Sequence, residues 1–153
     1  MDYLEIERRL SNYFKGRAVS LLRYAMGVIF FWYGALKVTG DSPVDELVMQ
    51  ALPWVKDHLF VSLIGFWEMA IGLCLFFKKF LRCGLILLFL HFPGTFLPLF
   101  TQPDACFTWV PFGLTLEGQY IFKNLILISA GLVILSTLQN HPREKKSRSD
   151  FSD

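Results

Sequence analysis

Four stretches of the chain are almost continuously apolar, and short polar segments separate them. They run over Ala18–Leu36, Leu59–Phe77, Phe80–Phe100 and Gln119–Leu138. Each supplies the roughly 20 residues that a helix rising 1.5 Å per residue needs to cross a hydrocarbon layer about 30 Å thick. The pattern predicts an all-α integral membrane protein, a bundle of four spanning helices. Only Lys78-Lys79 links the second span to the third, which predicts a tight antiparallel hairpin.

The period changes outside these spans. Tyr3, Ile6, Leu10, Tyr13 and Phe14 recur at helical spacing among Glu5, Arg8, Arg9 and Lys15. This predicts a short N-terminal amphipathic helix lying on a membrane surface. In the first outer loop, Asp41-Ser42-Pro43 reads as a helix start, with Ser42 as N-cap and Pro43 at the first helical position. Val44, Leu47, Val48, Ala51 and Leu52 then make an apolar face, and Pro53 ends it. The second outer loop, 101–118, is rich in apolar residues, including Phe107, Trp109, Val110, Pro111 and Phe112. It is expected to fold back over the outer end of the bundle as a lid. Residues 1–140 form one membrane domain on this reading, and the charged segment 141–153 a mobile tail.

Composition supports the membrane reading. The chain is 54% hydrophobic and 18% charged, where soluble domains average about 25% charged residues. A soluble domain of 153 residues has too much surface for its volume to hide 16 Phe in one core. A disordered chain, a nucleic-acid binder and a disulfide scaffold are excluded, and the lipid bilayer is the first partner. The net charge of +2 says little, but its distribution says more. Arg8, Arg9, Lys15 and Arg17 precede the first span, Lys78, Lys79 and Arg82 lie at the hairpin link, and Arg143, Lys145, Lys146 and Arg148 follow the fourth span. Four alternating spans place all of these on one face, which the positive-inside rule makes cytoplasmic together with both termini. Lys37 and Lys56 fall on the other face, and Arg23 and Lys123 within spans. The first span and its basic leader are too long for a signal peptide, and no small-x-small site follows, so it reads as a retained anchor. Trp32, Trp54 and Trp109 fall at the outer side and Trp67 within span two, as aromatic packing at lipid level.

The polar residues inside the spans are the candidate chemistry. Span one carries Ser20, Arg23, Gly27, Phe30, Gly34 and Lys37 on one face, where small residues admit a neighbouring helix. Glu68 is central in span two with Gly65 and Gly72 on its face, and His91 is central in span three with Gly84, Gly94 and Thr95. Pro93 and Pro98 are expected to bend the outer half of that helix. Counting residues puts Glu68 and His91 within about 2 Å of the midplane, Arg23 roughly 6 Å to the inside and Lys123 roughly 8 Å to the outside. A carboxylate at mid-depth is protonated or paired, and His91, Arg23 and Lys123 are its candidate partners. Such a cluster is either a proton-handling or ligand-binding site, or an ion pair that fixes which helices face one another. Glu117, Tyr120, Lys123 and Asn124 gather where the second loop enters span four. There Lys123 either reaches inward to Glu117 or Glu68 or snorkels outward. No metal is expected, because Glu68 and His91 offer two ligands at most. Cys74, Cys83 and Cys106 include neither a CxxC nor an outer pair, so they read as structural thiols.

Three segments resemble the DoxX-like family of small membrane proteins. They are Gly27-Val-Ile-Phe-Phe-Trp-Tyr-Gly34-Ala-Leu-Lys37, Glu68 with Gly72, and Thr115-Leu-Glu117-Gly118-Gln-Tyr120-Ile-Phe-Lys123-Asn124-Leu. Phe100-Thr-Gln-Pro103 is similar to the branch associated with reactive-chlorine resistance. The resemblance implies a four-helix bundle in a bacterial cytoplasmic membrane. Some members are subunits of quinone-reducing membrane complexes, and others are tied to oxidative stress. It implies an accessory protein that holds a quinone or similar lipophile beside a membrane redox partner, without stand-alone activity. The alternative is a scaffold or assembly factor without ligand. A third reading, solute transport, needs a homo-oligomer, because four helices enclose little space and no inverted repeat is visible.

Overall fold

The computed structural model describes residues 3–42, 45–51 and 58–139. Four helical stretches are long and apolar enough to cross a membrane: Ala18–Thr39, His58–Phe76, Lys78–Thr101 and Leu116–Leu138. They agree with the expected spans to within three residues at each end. The N-terminal helix α1, Tyr3–Phe14, buries none of its residues. Helix α2, Ala18–Thr39, ends at Gly40, whose φ of 80° lets its amide turn back to the Leu36 carbonyl. In the first loop, α3 covers Asp45–Ala51, followed by α4, His58–Phe76. Pro43, the expected first helical position of α3, and Pro53, its expected end, together with Val44, Leu52, Trp54, Lys56 and the tail from Asn140 on, lie outside the described residues.

Helix α2 packs most closely on α4, and glycine is the reason. A Cβ on Gly34 would strike the Gly65 carbonyl, and one on Gly72 would stand 2.7 Å from the Gly27 carbonyl. Gly27 meets Gly72 while Gly34, two turns on, meets Gly65, so the two helices are antiparallel and nearly in backbone contact. A 3₁₀ turn, Lys78–Phe80, reverses the chain into α5, Leu81–Phe96. The bundle core comes from Met26 and Phe30, Ile71 and Leu75, and Leu81, Leu85, Leu88 and Phe92. Ala130 and Ile134 complete it from α9, Asn124–Gln139, which follows α8, Leu116–Phe122. Large apolar residues such as Leu63, Phe66, Ile86, Leu90, Ile126 and Leu132 cover the outer surface, as a lipid-facing bundle requires.

The third span is interrupted in the half that holds its prolines, while the expected lid needs correction. Helix α5 continues through Pro93 to Phe96. The break falls at Leu97, before α6, Pro98–Thr101. Pro98 has no N–H to offer the Gly94 carbonyl four residues back, and the Leu97 amide takes it in a tighter turn at 3.3 Å. The second loop, in turn, does not fold its aromatics over the bundle. It forms a helical turn, α7, Pro103–Cys106, and a hairpin of β1, Phe107–Trp109, with β2, Gly113–Leu114. Trp109 and Phe112 pack on each other at the tip and are 61% and 76% exposed. The base is tied to the start of α8. Thr115 donates its amide to the Cys106 carbonyl and its hydroxyl to the Ala105 carbonyl, and Gly118 packs against the Cys106 carbonyl.

Candidate functional site

The glycine contact between α2 and α4 determines where Lys37 goes. A Cβ on Gly65 would lie 2.9 Å from the Lys37 Cβ, so the lysine stem runs over Gly65. Side chains lean toward the helix N-terminus, which aims Lys37 back into the bundle and Glu68 up toward it. Lys37 Nζ donates to Glu68 Oε2 at 2.7 Å. From α5, His91 Nε2 meets the other oxygen, Oε1, at 3.1 Å. The Phe30 ring stands edge-on to His91 at 6.0 Å and closes the apolar side. Lys37 and Glu68 are each 8% exposed through their side chains and His91 is 11% exposed, so water screens the group little.

One carboxylate thus holds two cation-capable partners from two other helices. With the imidazole neutral the three groups sum to zero charge. A proton taken up on His91 makes the cluster cationic, and one passed to Glu68 frees Lys37 from its counter-ion. The arrangement can store and relay a proton, and it locks α2, α4 and α5 in register.

The expected partners of Glu68 were His91, Arg23 and Lys123. His91 is one; Arg23 and Lys123 are not, because Lys37 already occupies the second oxygen. Arg23 is buried about two turns toward the opposite end, with its guanidinium 4.6 Å from the Tyr24 ring. Lys123 does not pair with Glu117 either. Its ammonium lies between two aromatic faces, 4.2 Å from the Tyr120 ring and 5.0 Å from Tyr33. Lys123 sits at the junction of α8 and α9, and Asn124 opens α9. Glu117 is exposed in the first turn of α8, where the helix dipole favours it, and Thr115 caps that helix by accepting from the Gly118 amide at 3.1 Å. The candidate residues therefore form three separate places: Lys37, Glu68 and His91 together, Arg23 alone, and the group of Glu117, Tyr120, Lys123 and Asn124 along α8 and the start of α9.

Sequence reasoning missed the Lys37–Glu68 bond, Tyr33 as a wall for Lys123, and Asp45. Asp45 is 5% exposed, with both carboxylate oxygens unpartnered among the described residues. The glycine stripe held the signal for the first, since Gly34 precedes Lys37 by one turn and Gly65 precedes Glu68 by one turn. Cys106 is fully buried at the hairpin base. Burial pushes its thiol above the usual cysteine value, and the nearby Glu117 carboxylate adds to the effect. No family model, curated protein or solved structure matches the chain.

Proposed function

We propose that the chain is a DoxX-like protein of the bacterial cytoplasmic membrane that binds a small quinone-type lipophile and serves as accessory subunit to a membrane redox partner. Both termini lie on the cytoplasmic side, with α1 on the inner surface. The observation that carries this reading is the buried Lys37–Glu68–His91 cluster. A quinone carbonyl accepts hydrogen bonds when oxidised and takes up protons when its ring is reduced. Lys37 and His91 are donors held on a carboxylate that can replenish them. Electrons come from the partner, since the motif residues include no redox group of their own.

Quinone content tests it. Protein purified from native membranes is expected to retain quinone at near-stoichiometric amounts after detergent exchange. His91→Gln is expected to lower that amount at least tenfold while the chain still folds. A wild-type protein carrying no more quinone than bulk lipid does would overturn the reading. Reporter fusions at each terminus and within 101–118 test the orientation.

A second reading, a scaffold without ligand, is favoured by the closure of the cluster. Both Glu68 oxygens are already taken by protein groups. On that reading Glu68→Gln weakens the bundle and partner co-purification but leaves quinone content unchanged.

A further inference from the structure

Arg23 is 4% exposed, and its Nε is enclosed without a hydrogen-bond partner. No hydrogen bond or ion pair from Arg23 occurs among the described residues; its guanidinium lies instead against the face of the Tyr24 ring. Its Cα lies less than two turns inside the start of α2, and its side chain leans toward that start. Tyr24 stacks on Phe76, in the last turn of α4, at 6.0 Å, which places the guanidinium at the end of the bundle where the chain enters α2 and leaves α4. That end carries Arg8, Arg9, Lys15, Arg17, Lys78, Lys79 and Arg82. The described acids there are Glu5 and Glu7 on α1, and Glu5 already pairs with Arg9 at 3.0 Å. The start of α2 has no side-chain cap, so its first amides face the same region.

The site calls for an anion, and its surroundings say which kind. Leu21, Tyr24 and Val28 are 63%, 43% and 54% exposed and follow one another along the exposed face of α2, and the Arg23 guanidinium reaches this face at the Tyr24 ring, 4.6 Å away. They form an apolar strip running from the guanidinium toward the middle of the bilayer. A ligand that fits both parts has a phosphate at one end and hydrocarbon at the other. We infer that Arg23 binds the phosphate of an anionic phospholipid whose acyl chain lies along Leu21, Tyr24 and Val28. Basic pockets among spanning helices select such headgroups, and a planar guanidinium suits a phosphate better than an ammonium does.

The test is a thermal-stability titration of the purified full chain in neutral detergent with phosphatidylglycerol, phosphatidylcholine and sodium phosphate. Native mass spectrometry of the same samples counts retained lipid. Phosphatidylglycerol is expected to raise Tm by several degrees and to remain as one adduct, while phosphatidylcholine and sodium phosphate do neither. Arg23→Gln is expected to weaken the phosphatidylglycerol response at least fivefold, and Lys15→Gln, on the exposed turn after α1, to retain it. Equal responses to the two lipids, or an Arg23→Gln response equal to wild type, would overturn the proposal. A matching response to sodium phosphate would reassign the site to the free ion and overturn the lipid assignment. Should Arg23→Gln fail to fold, the wild-type comparison of the two lipids still decides. Arg23→Lys then supplies the variant, with binding weaker than wild type yet measurable.

Discussion

Lys37 runs against the habit of its residue type. A lysine in the last turn of a spanning helix ordinarily extends to the interface, whereas this one turns inward to Glu68. The two are strongly interdependent. Lys37→Met leaves a carboxylate in a low-dielectric site with the imidazole alone, a loss on the order of 3–5 kcal/mol. The double variant Lys37→Met/Glu68→Gln is expected to recover much of it, and a double-mutant cycle in detergent denaturation measures the coupling. Additive losses would show that the two side chains do not interact. Lys123 is a milder case. Lys123→Met removes contacts with the Tyr33 and Tyr120 rings and keeps the apolar stem, so a loss of about 0.5–2 kcal/mol is expected by thermal shift. Residue depths were readable by counting, which is why Glu68 and His91 were recognised as level with each other. Side-chain direction was not, because it depends on how closely α2 and α4 approach. Tyr33 is not legible as a wall for Lys123 because that contact depends on how α2 packs against the junction of α8 and α9.

At the scale of elements, glycines separate into two kinds. Gly34 and Gly65 are places where a backbone atom of the neighbouring helix occupies the space a side chain would need, whereas a Cβ on Gly94 meets nothing within 4 Å. Gly34→Ala is expected to force α2 and α4 apart and lower Tm sharply, with loss of the Lys37–Glu68 bond. Gly94→Ala, at an exposed helical position, is expected to be neutral or slightly stabilising. The same thermal melts on the two variants check the contrast, and equal effects would refute it. The spans themselves were legible because length and apolarity alone define them. The hairpin was not, since it rests on hydrogen bonds from Thr115 and on the fit of Gly118 against Cys106, which no periodicity encodes. Its aromatic content suggests a covering layer, yet Trp109 and Phe112 lie exposed at its tip.

For the whole molecule, polarity divides by position along the membrane normal. The end where α2 begins is cationic, the middle holds one closed charge cluster, and the opposite end carries the hairpin. Cys106 reports on the packing of that hairpin end. Its thiol is enclosed and its pKa is raised, so the neutral form is favoured in the folded chain. The contribution to stability is complete at neutral pH and is lost as pH rises through and past the ordinary cysteine range. A water-soluble maleimide is accordingly expected to leave Cys106 unmodified at pH 7.5 and to label it after unfolding. Rapid labelling of the folded protein would mean that the hairpin base opens.

The closed cluster also bears on biogenesis. A charged group carried alone to the centre of a bilayer costs about 2.5–3.5 kcal/mol during translocon-mediated insertion. Glu68 meets that condition only if α4 enters the lipid by itself. Lys37 belongs to the helix synthesised just before, and the glycine seam lets that helix lie directly against α4. The first long helix thereby offers a cation to the anion of the second, and where the two enter lipid together the Lys37–Glu68 pair does so with no net charge of its own.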